Sequence, residues 1–354
     1  MKKTKVYLTL QNGKVFEGYR FGADGEAVGE LVFSTGMVGY LKTLTDPAYY
    51  GQIVVQTFPM IGNYGVIESE FDSEKTHLSA YIVREYCQEP SNFRTEQTLD
   101  AFMKKAGVIG VYGVDTRELT RILREEGVMT ASISSKPLTD DYSILQTYEV
   151  KNAVAALGEK EVKTYGEGGK YTVALWDFGV KNSSLNDLTE KGFKLVRVPA
   201  SYTAEQILAL HTDGVILSEG PGDPTENTAI IEEVKKLVGK IPVFGFGLGH
   251  QLVALALGAK TEKMKYGHRG GNQPVKSLEN GRVYISSQNH GYVVDGETLK
   301  EGAIDYINVN DGSCEGISYP EKKAFTVQFA PASMSAANES NVLYNKFITM
   351  MEKE

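Results

Sequence analysis

Cysteine is scarce. Cys87 and Cys314, in different halves of 354 residues, are too few for a disulfide framework and suit a reducing compartment. Neither sits in a strand-to-helix turn. Cys87 lies in VREYCQEP and Cys314 in the hairpin-like NDGSCEG, so both read as ordinary thiols rather than nucleophiles. Long apolar runs are also missing, and no window reaches the about 18 uninterrupted apolar residues of a membrane span. The short basic start, MKKTKVYLTLQNGK, alternates polar with apolar residues and leads to no cleavage site, so it reads as a strand. Basic runs are absent, and a net charge of −8 excludes a broad phosphate-neutralising surface, hence nucleic acid as a partner. No internal repeat or low-complexity tract occurs. With 42% hydrophobic and 23% charged residues, the expectation is a soluble, cytoplasmic, two-domain globular protein.

The first half is rich in strand signals. VYLTLQNGKVFEGYRF holds two alternating runs around Asn12-Gly13, a hairpin pattern. VDTRELTRILREEG places Asp115 and Glu118 at capping-box spacing, apolar Leu119, Ile122 and Leu123 on one face, and Gly127 as a stop, which predicts one amphipathic helix. The polar, glycine-rich GEKEVKTYGEGGK that follows has no apolar period and reads as a linker. The expected division is a domain over 1–152, a linker over 153–170 and a second domain over 171–354.

Past the linker, strands alternate with helices. YTVALWDF, FKLVRVPA, DGVILSEG and IPVFGF are buried strand patterns; VKNSSLNDLTEKG, TAEQILALH, with Thr203 and Gln206 at capping-box spacing, and ENTAIIEEVKKLVG are helical ones. That rhythm implies right-handed crossovers and a doubly wound, mostly parallel α/β sheet, whose functional groups collect at the carboxyl ends of its strands. Three loops leave those ends: SEGPGDP, the turn at Gly247, and VQFAPAS. Within IPVFGFGLGHQLVALALG the strand stops at a tight turn and a helix starts at once, the layout of a nucleophile elbow. The elbow residue, Gly247, has no side chain with which to attack anything.

Taken together, LSEGPGDP, FGFGLGHQLVALALGAK, KMKYGHRGGNQPV, SSQNHGYVVD and FTVQFAPAS resemble the class I glutamine amidotransferase domain. GELVFSTGMVGY, LTDPAYYGQIV, PMIGNYG, SNFR and DTRELTRILREEG resemble the small subunit of carbamoyl phosphate synthetase. The resemblance covers nearly the whole chain. It implies a strand-rich N-terminal domain joined to a sheet of the amidotransferase type. It also implies a subunit that hydrolyses glutamine and passes ammonia to a large subunit, where ATP and Mg are expected; this chain itself carries no cofactor. Family members carry G-x-C-x-G-H-Q at the elbow and H-P-E on the later loop. Here Gly247 stands for the cysteine, Ala330 for the histidine and Ala332 for the glutamate, so no thiolate, general base or orienting carboxylate is provided.

The binding frame is better kept. By resemblance, Gly220 and Gly222 lie in a loop that presents one oxyanion donor, and the N–H of Leu248 is the other. Gln251, Asn289, Gly291 and Tyr292 match positions that hold the α-amino and α-carboxylate ends of glutamine, while Ala48 replaces a serine that touches it. Glu219 replaces an asparagine, and a carboxylate there repels an anionic group, so glutamine binding is expected to be weak or lost. His250, His268 and His290 read as structural. His77 and His211 are distant, and no cysteine or carboxylate neighbours a histidine pair in sequence, so no metal site is expected. Ser333 has no base near it. The expected function is a small subunit without glutaminase activity, supporting a large subunit that uses ammonia in arginine or pyrimidine biosynthesis. The alternative is a stand-alone glutamine-binding regulator.

Overall fold

The Asn12-Gly13 turn joins two antiparallel strands, Lys5–Leu10 and Val15–Gly22, with Leu8 opposite Phe16. These begin a closed barrel of the first unit, Met1–Lys151. In the computed structural model, which describes residues 3–138, 142–331 and 340–352, the barrel continues through Ile109–Tyr112, Ala80–Val83, Gln52–Gln56, Ala27–Ser34 and Met129–Ser134. This last strand pairs back to Lys5–Leu10. Closure leaves no free sheet edge, and the strand-rich composition of this half is thereby accounted for. Val6, Leu8 and Leu10 alternate into the core and are fully buried, as the period of two requires.

The Thr116–Glu126 helix forms as its spacing predicts, with Leu119, Ile122 and Leu123 buried and Gly127 at its C-cap. Its capping box is half made. Asp115 Oδ1 accepts from the Glu118 N–H at 3.0 Å, but the Glu118 carboxylate turns instead to the Arg121 guanidinium, at 2.6 and 2.9 Å. A charged bidentate partner outcompetes a single backbone N–H.

The second unit, Asn152–Glu354, is built on a ten-stranded sheet. Five parallel strands, Phe193–Pro199, Tyr171–Asp177, Gly214–Leu217, Val243–Phe246 and Ala324–Val327, stand in that spatial order. The chain winds first to one side of Tyr171–Asp177 and then to the other, which makes that strand the switch point of a doubly wound sheet. Beyond Ala324–Val327 the sheet turns antiparallel through Cys314–Tyr319, Val283–Asp295, Lys260–Ser277 and Ala303–Asn308. Helices Asn182–Glu190, Ala204–Leu208 and Thr228–Leu237 connect the parallel strands, Leu248–Ala256 leads from Val243–Phe246 into the antiparallel strands, and the Thr203–Gln206 capping box is complete. Among the described residues, no helix is long and apolar enough to cross a membrane.

Residues 153–170 differ from the linker expected of them. They carry a helix, Ala153–Leu157, with Ala153 and Val154 buried, and a strand, Lys163–Tyr165, that pairs antiparallel with Phe193–Pro199. An edge strand faces solvent on one side, and its polar composition is what such an edge needs; composition alone does not distinguish it from a tether.

Candidate functional site

Residues at the carboxyl ends of several parallel strands shape the elbow and its surroundings. At the end of Tyr171–Asp177, Asp177 is fully buried. Its Oδ1 accepts from the N–H groups of Gly179 and Val180 at 2.9 and 2.8 Å, and its Oδ2 takes Arg197 Nη2 at 2.8 Å. Ser218, after the next strand, accepts the Phe178 N–H at 2.9 Å. This network fixes the backbone against which Gly220 packs. A Cβ on Gly220 would stand 2.5 Å from Phe178 O and 2.8 Å from Leu248 Cδ2, so only glycine lets the loop approach the elbow this closely.

The elbow at the end of Val243–Phe246 is formed. Gly247 has φ 57 and ψ −119 and is the N-cap of the Leu248–Ala256 helix. Its own N–H donates to Val327 O at 3.0 Å, and Gly249 N–H donates to Ser218 O at 2.9 Å. Leu248 is the first helical residue, so its N–H has no partner within the helix, and it lies against Gly220. Gly222 follows at φ 87. The loop through Ser218 and Gly220 and the turn at Gly247 therefore come together around a position with no side chain. A Cβ on Gly247 would stand 2.8 Å from Glu219 Cβ.

Glu219 is turned away from solvent. Its Oε1 accepts from the Lys181 N–H at 3.0 Å and from Ser184 Oγ at 2.7 Å, so the carboxylate sits on the N-terminus of the Asn182–Glu190 helix, where the helix dipole favours negative charge. That role was not read from the sequence, because Glu219 and Ser184 belong to different connections.

One turn into the elbow helix, Gln251 Nε2 donates to Tyr292 O at 2.8 Å and to Gln328 Oε1 at 2.9 Å. Gln251, Tyr292 and the end of the last parallel strand thus come together, with Asn289 and Gly291 on the same strand as Tyr292. Ala330 follows that last strand and is half-buried. Ala332 and Ser333 lie outside the described residues. Ala48 belongs to the first unit, in the Pro47–Tyr49 turn, where its N–H donates to Asp46 Oδ1 at 2.9 Å.

The histidines are held by neighbours. His250 is fully buried, its Nδ1 2.8 Å from Thr326 Oγ1, and burial pushes its pKa down to about 3, so the ring is neutral. His268 and His290 stand opposite each other on paired strands. The sequence expectation that no carboxylate accompanies a histidine pair is corrected here. Glu315 and Asp311, distant in sequence, come within 3.4 and 2.8 Å of the His268 nitrogens, because four antiparallel strands bring together segments that no local pattern connects. Cys314 is buried and its thiol is pushed up to about 12 by that burial, which removes it as a nucleophile at neutral pH.

Residues 8–133 match the family described as carbamoyl-phosphate synthase small chain, CPSase domain, and residues 174–350 match glutamine amidotransferase class-I. The chain is 44% identical over 347 residues to a carbamoyl phosphate synthase small chain of Fusobacterium nucleatum, covering 96% of each chain. It is 44% identical over 348 residues to that of Clostridium perfringens, covering 97% of this chain and 99% of the relative. To the pyrimidine-specific small chain of Bacillus subtilis it is 42% identical over 352 residues, covering 98% and 96%. Both units being matched and nearly full length shared, the chain belongs to the carbamoyl phosphate synthase small chain family.

Proposed function

We propose that this chain is a small subunit of carbamoyl phosphate synthase that does not hydrolyse glutamine and acts as a structural or regulatory partner of a large subunit fed by free ammonia. The observation that carries this reading is Gly247 at the elbow, φ 57 and ψ −119, a backbone conformation suited to presenting a nucleophile on a residue that has none. Ala330, beyond the adjoining strand, offers a methyl group where family members carry the histidine. Removing one member of such a triad already forfeits most of the rate, and the members act as a unit. His250 does not substitute for the missing base, since a ring with a pKa of about 3 has little affinity for the proton at neutral pH.

By resemblance, the second unit's share of a vestigial glutamine pocket is Gly220, Gly222, Leu248, Gln251, Asn289, Gly291 and Tyr292. Both amide hydrogens of Gln251 are engaged within the protein, leaving only its carbonyl oxygen for a ligand's amino group, in keeping with weak or absent glutamine binding. ATP and Mg belong to the large subunit in this reading. The test is carbamoyl phosphate formation by this chain mixed with its cognate large subunit, given either glutamine or ammonium as sole nitrogen source. Product from ammonium alone, at a rate altered by adding this chain, is the expected result. Product from glutamine at a rate set by this chain would overturn the proposal.

A further inference from the structure

We propose that His268, Gln288, His290 and Glu315 form a binding site for a divalent transition-metal ion of the zinc class. The four side chains come from the strands Lys260–Ser277, Val283–Asp295 and Cys314–Tyr319. The ligand atoms offered by His268, His290 and Glu315 all lie within 4.8 Å of one another.

The hydrogen bonds around the cluster fix which atoms point inward. His290 Nδ1 is 2.8 Å from the Tyr292 carbonyl oxygen, which can only accept, so Nδ1 carries the proton and a neutral ring presents a lone pair at Nε2. Gln288 Nε2 donates to Glu315 Oε2 at 2.9 Å and to Ser286 Oγ at 3.1 Å, which fixes the amide with Oε1 toward both histidines. His290 Nε2 and Gln288 Oε1, two acceptors, then face each other at 2.8 Å. His268 repeats the pattern. Its Nε2 is 2.8 Å from Asp311 Oδ2 and so carries the proton, which leaves Nδ1 in a neutral ring as a lone pair facing Gln288 Oε1 at 3.2 Å and Glu315 Oε1 at 3.4 Å. Asn308 Nδ2, the neighbouring donor, is 3.4 Å from that Nδ1 but closer, at 3.0 Å, to Glu315 Oε1.

Four electron-pair donors therefore converge, and positive charge among them reconciles the contacts. Two added protons would do so if both rings became imidazolium. One proton leaves the His290–Gln288 contact unmatched, whereas one divalent cation satisfies all four atoms.

The geometry suits such an ion. Tetrahedral zinc bonds to nitrogen and oxygen set neighbouring ligand atoms about 3.4 Å apart, near the 2.8, 3.2 and 3.4 Å separations here. Metal-bound histidines usually donate their second N–H to a carboxylate or a backbone carbonyl, and Asp311 and Tyr292 O take those places. Two imidazoles with one carboxylate favour zinc-like ions over magnesium or calcium. His268 and Glu315 are only 5% and 0% exposed, and four protein ligands leave no open position, so the ion would be structural. It would tie the strand that carries Asn289, Gly291 and Tyr292 to its neighbours.

The full chain, stripped by dialysis against a chelator, would be titrated with Co(II) and followed by visible absorption, then challenged with Zn(II). Saturation at one equivalent with the intense bands of four-coordinate cobalt, bleached by zinc, is the expected result. Glu315→Gln and His290→Gln, checked for folding by circular dichroism, should each lose that spectrum. Asp311→Asn, which alters only the partner of a ligand, should keep the stoichiometry and weaken affinity about 10–100-fold; it carries the test should the buried substitutions fail to fold. A wild-type chain with no saturable cobalt spectrum would overturn the proposal in favour of shared protons. A spectrum unchanged in the variants would overturn it by placing the ion elsewhere.

Discussion

At Gly247 a single residue decides between chemistry and its absence, and the cost of putting the side chain back can be argued from the backbone. A residue with a Cβ at φ 57 bears about 1–3 kcal/mol of conformational strain, and here the new atom would also press within 2.8 Å of Glu219 Cβ. The loss of glycine's freedom in the unfolded chain offsets only part of this. Gly247→Cys is therefore expected to fold, to lose about 1–3 kcal/mol in urea unfolding, and to release no ammonia from glutamine, because Ala330 and Ala332 remain. Hydrolysis by that single variant would defeat the account of the elbow given above. A second residue, His250, supplies a pH signature. Its folded pKa of about 3 is depressed from 6.5, so the folded state resists protonation. The stability it contributes is fully present above about 6.5 and is lost as the pH falls from there toward about 3. Relative to His250→Gln, the wild type should lose about 1.4 kcal/mol per pH unit over that window. A difference between the two that does not change with pH would mean that the folded ring takes up a proton as readily as the unfolded one.

Elements show where local sequence is informative and where it falls silent. The Asp115 cap, the Thr203–Gln206 box, the strand-helix rhythm and the elbow could all be read, because each is a pattern within a few residues governed by local hydrogen bonds or periodicity. Glu219 could not. It caps the Asn182–Glu190 helix from a different connection, 2.7 Å from Ser184 Oγ, and nothing near Glu219 in sequence announces that partner. The same reason hid the helix and strand within 153–170, whose order depends on pairing with Phe193–Pro199, and the approach of Glu315 and Asp311 to His268. Tertiary pairing at long separation leaves no short-range trace. The Glu219 contact has a measurable worth. Hydrogen bonds to a charged group contribute about 1.5–3 kcal/mol, so Glu219→Ala should lower stability by about 2 kcal/mol. Glu219→Gln, which keeps an acceptor but loses the charge at the helix N-terminus, should lower it by less. Equal losses in the two variants would mean that the charge, and not the hydrogen bond, is what the helix uses.

On the scale of the whole molecule, the family assignment rests on both units, and each unit gathers a core from its own residues. One buried cluster contains Val32, Val54, Tyr81 and Leu99 of the first, and two others draw on the second, around Trp176 and Phe244. Trp176 is the sole tryptophan and is fully buried in the switch-point strand, so its fluorescence reports on the second unit, while far-ultraviolet circular dichroism reports on both. Separate cores make two-state unfolding of the whole chain unexpected. The two signals should therefore give transitions that do not coincide in urea. Leu8, fully buried in the barrel strand Lys5–Leu10, provides the selective perturbation: Leu8→Ala removes buried methyl groups at a cost of about 2–5 kcal/mol. That variant should move the circular dichroism transition to lower urea and leave the midpoint of Trp176 fluorescence where it was. A single coincident transition, shifted as a whole by Leu8→Ala, would show instead that the two cores melt as one cooperative body, and that a lesion in the barrel is felt at the elbow.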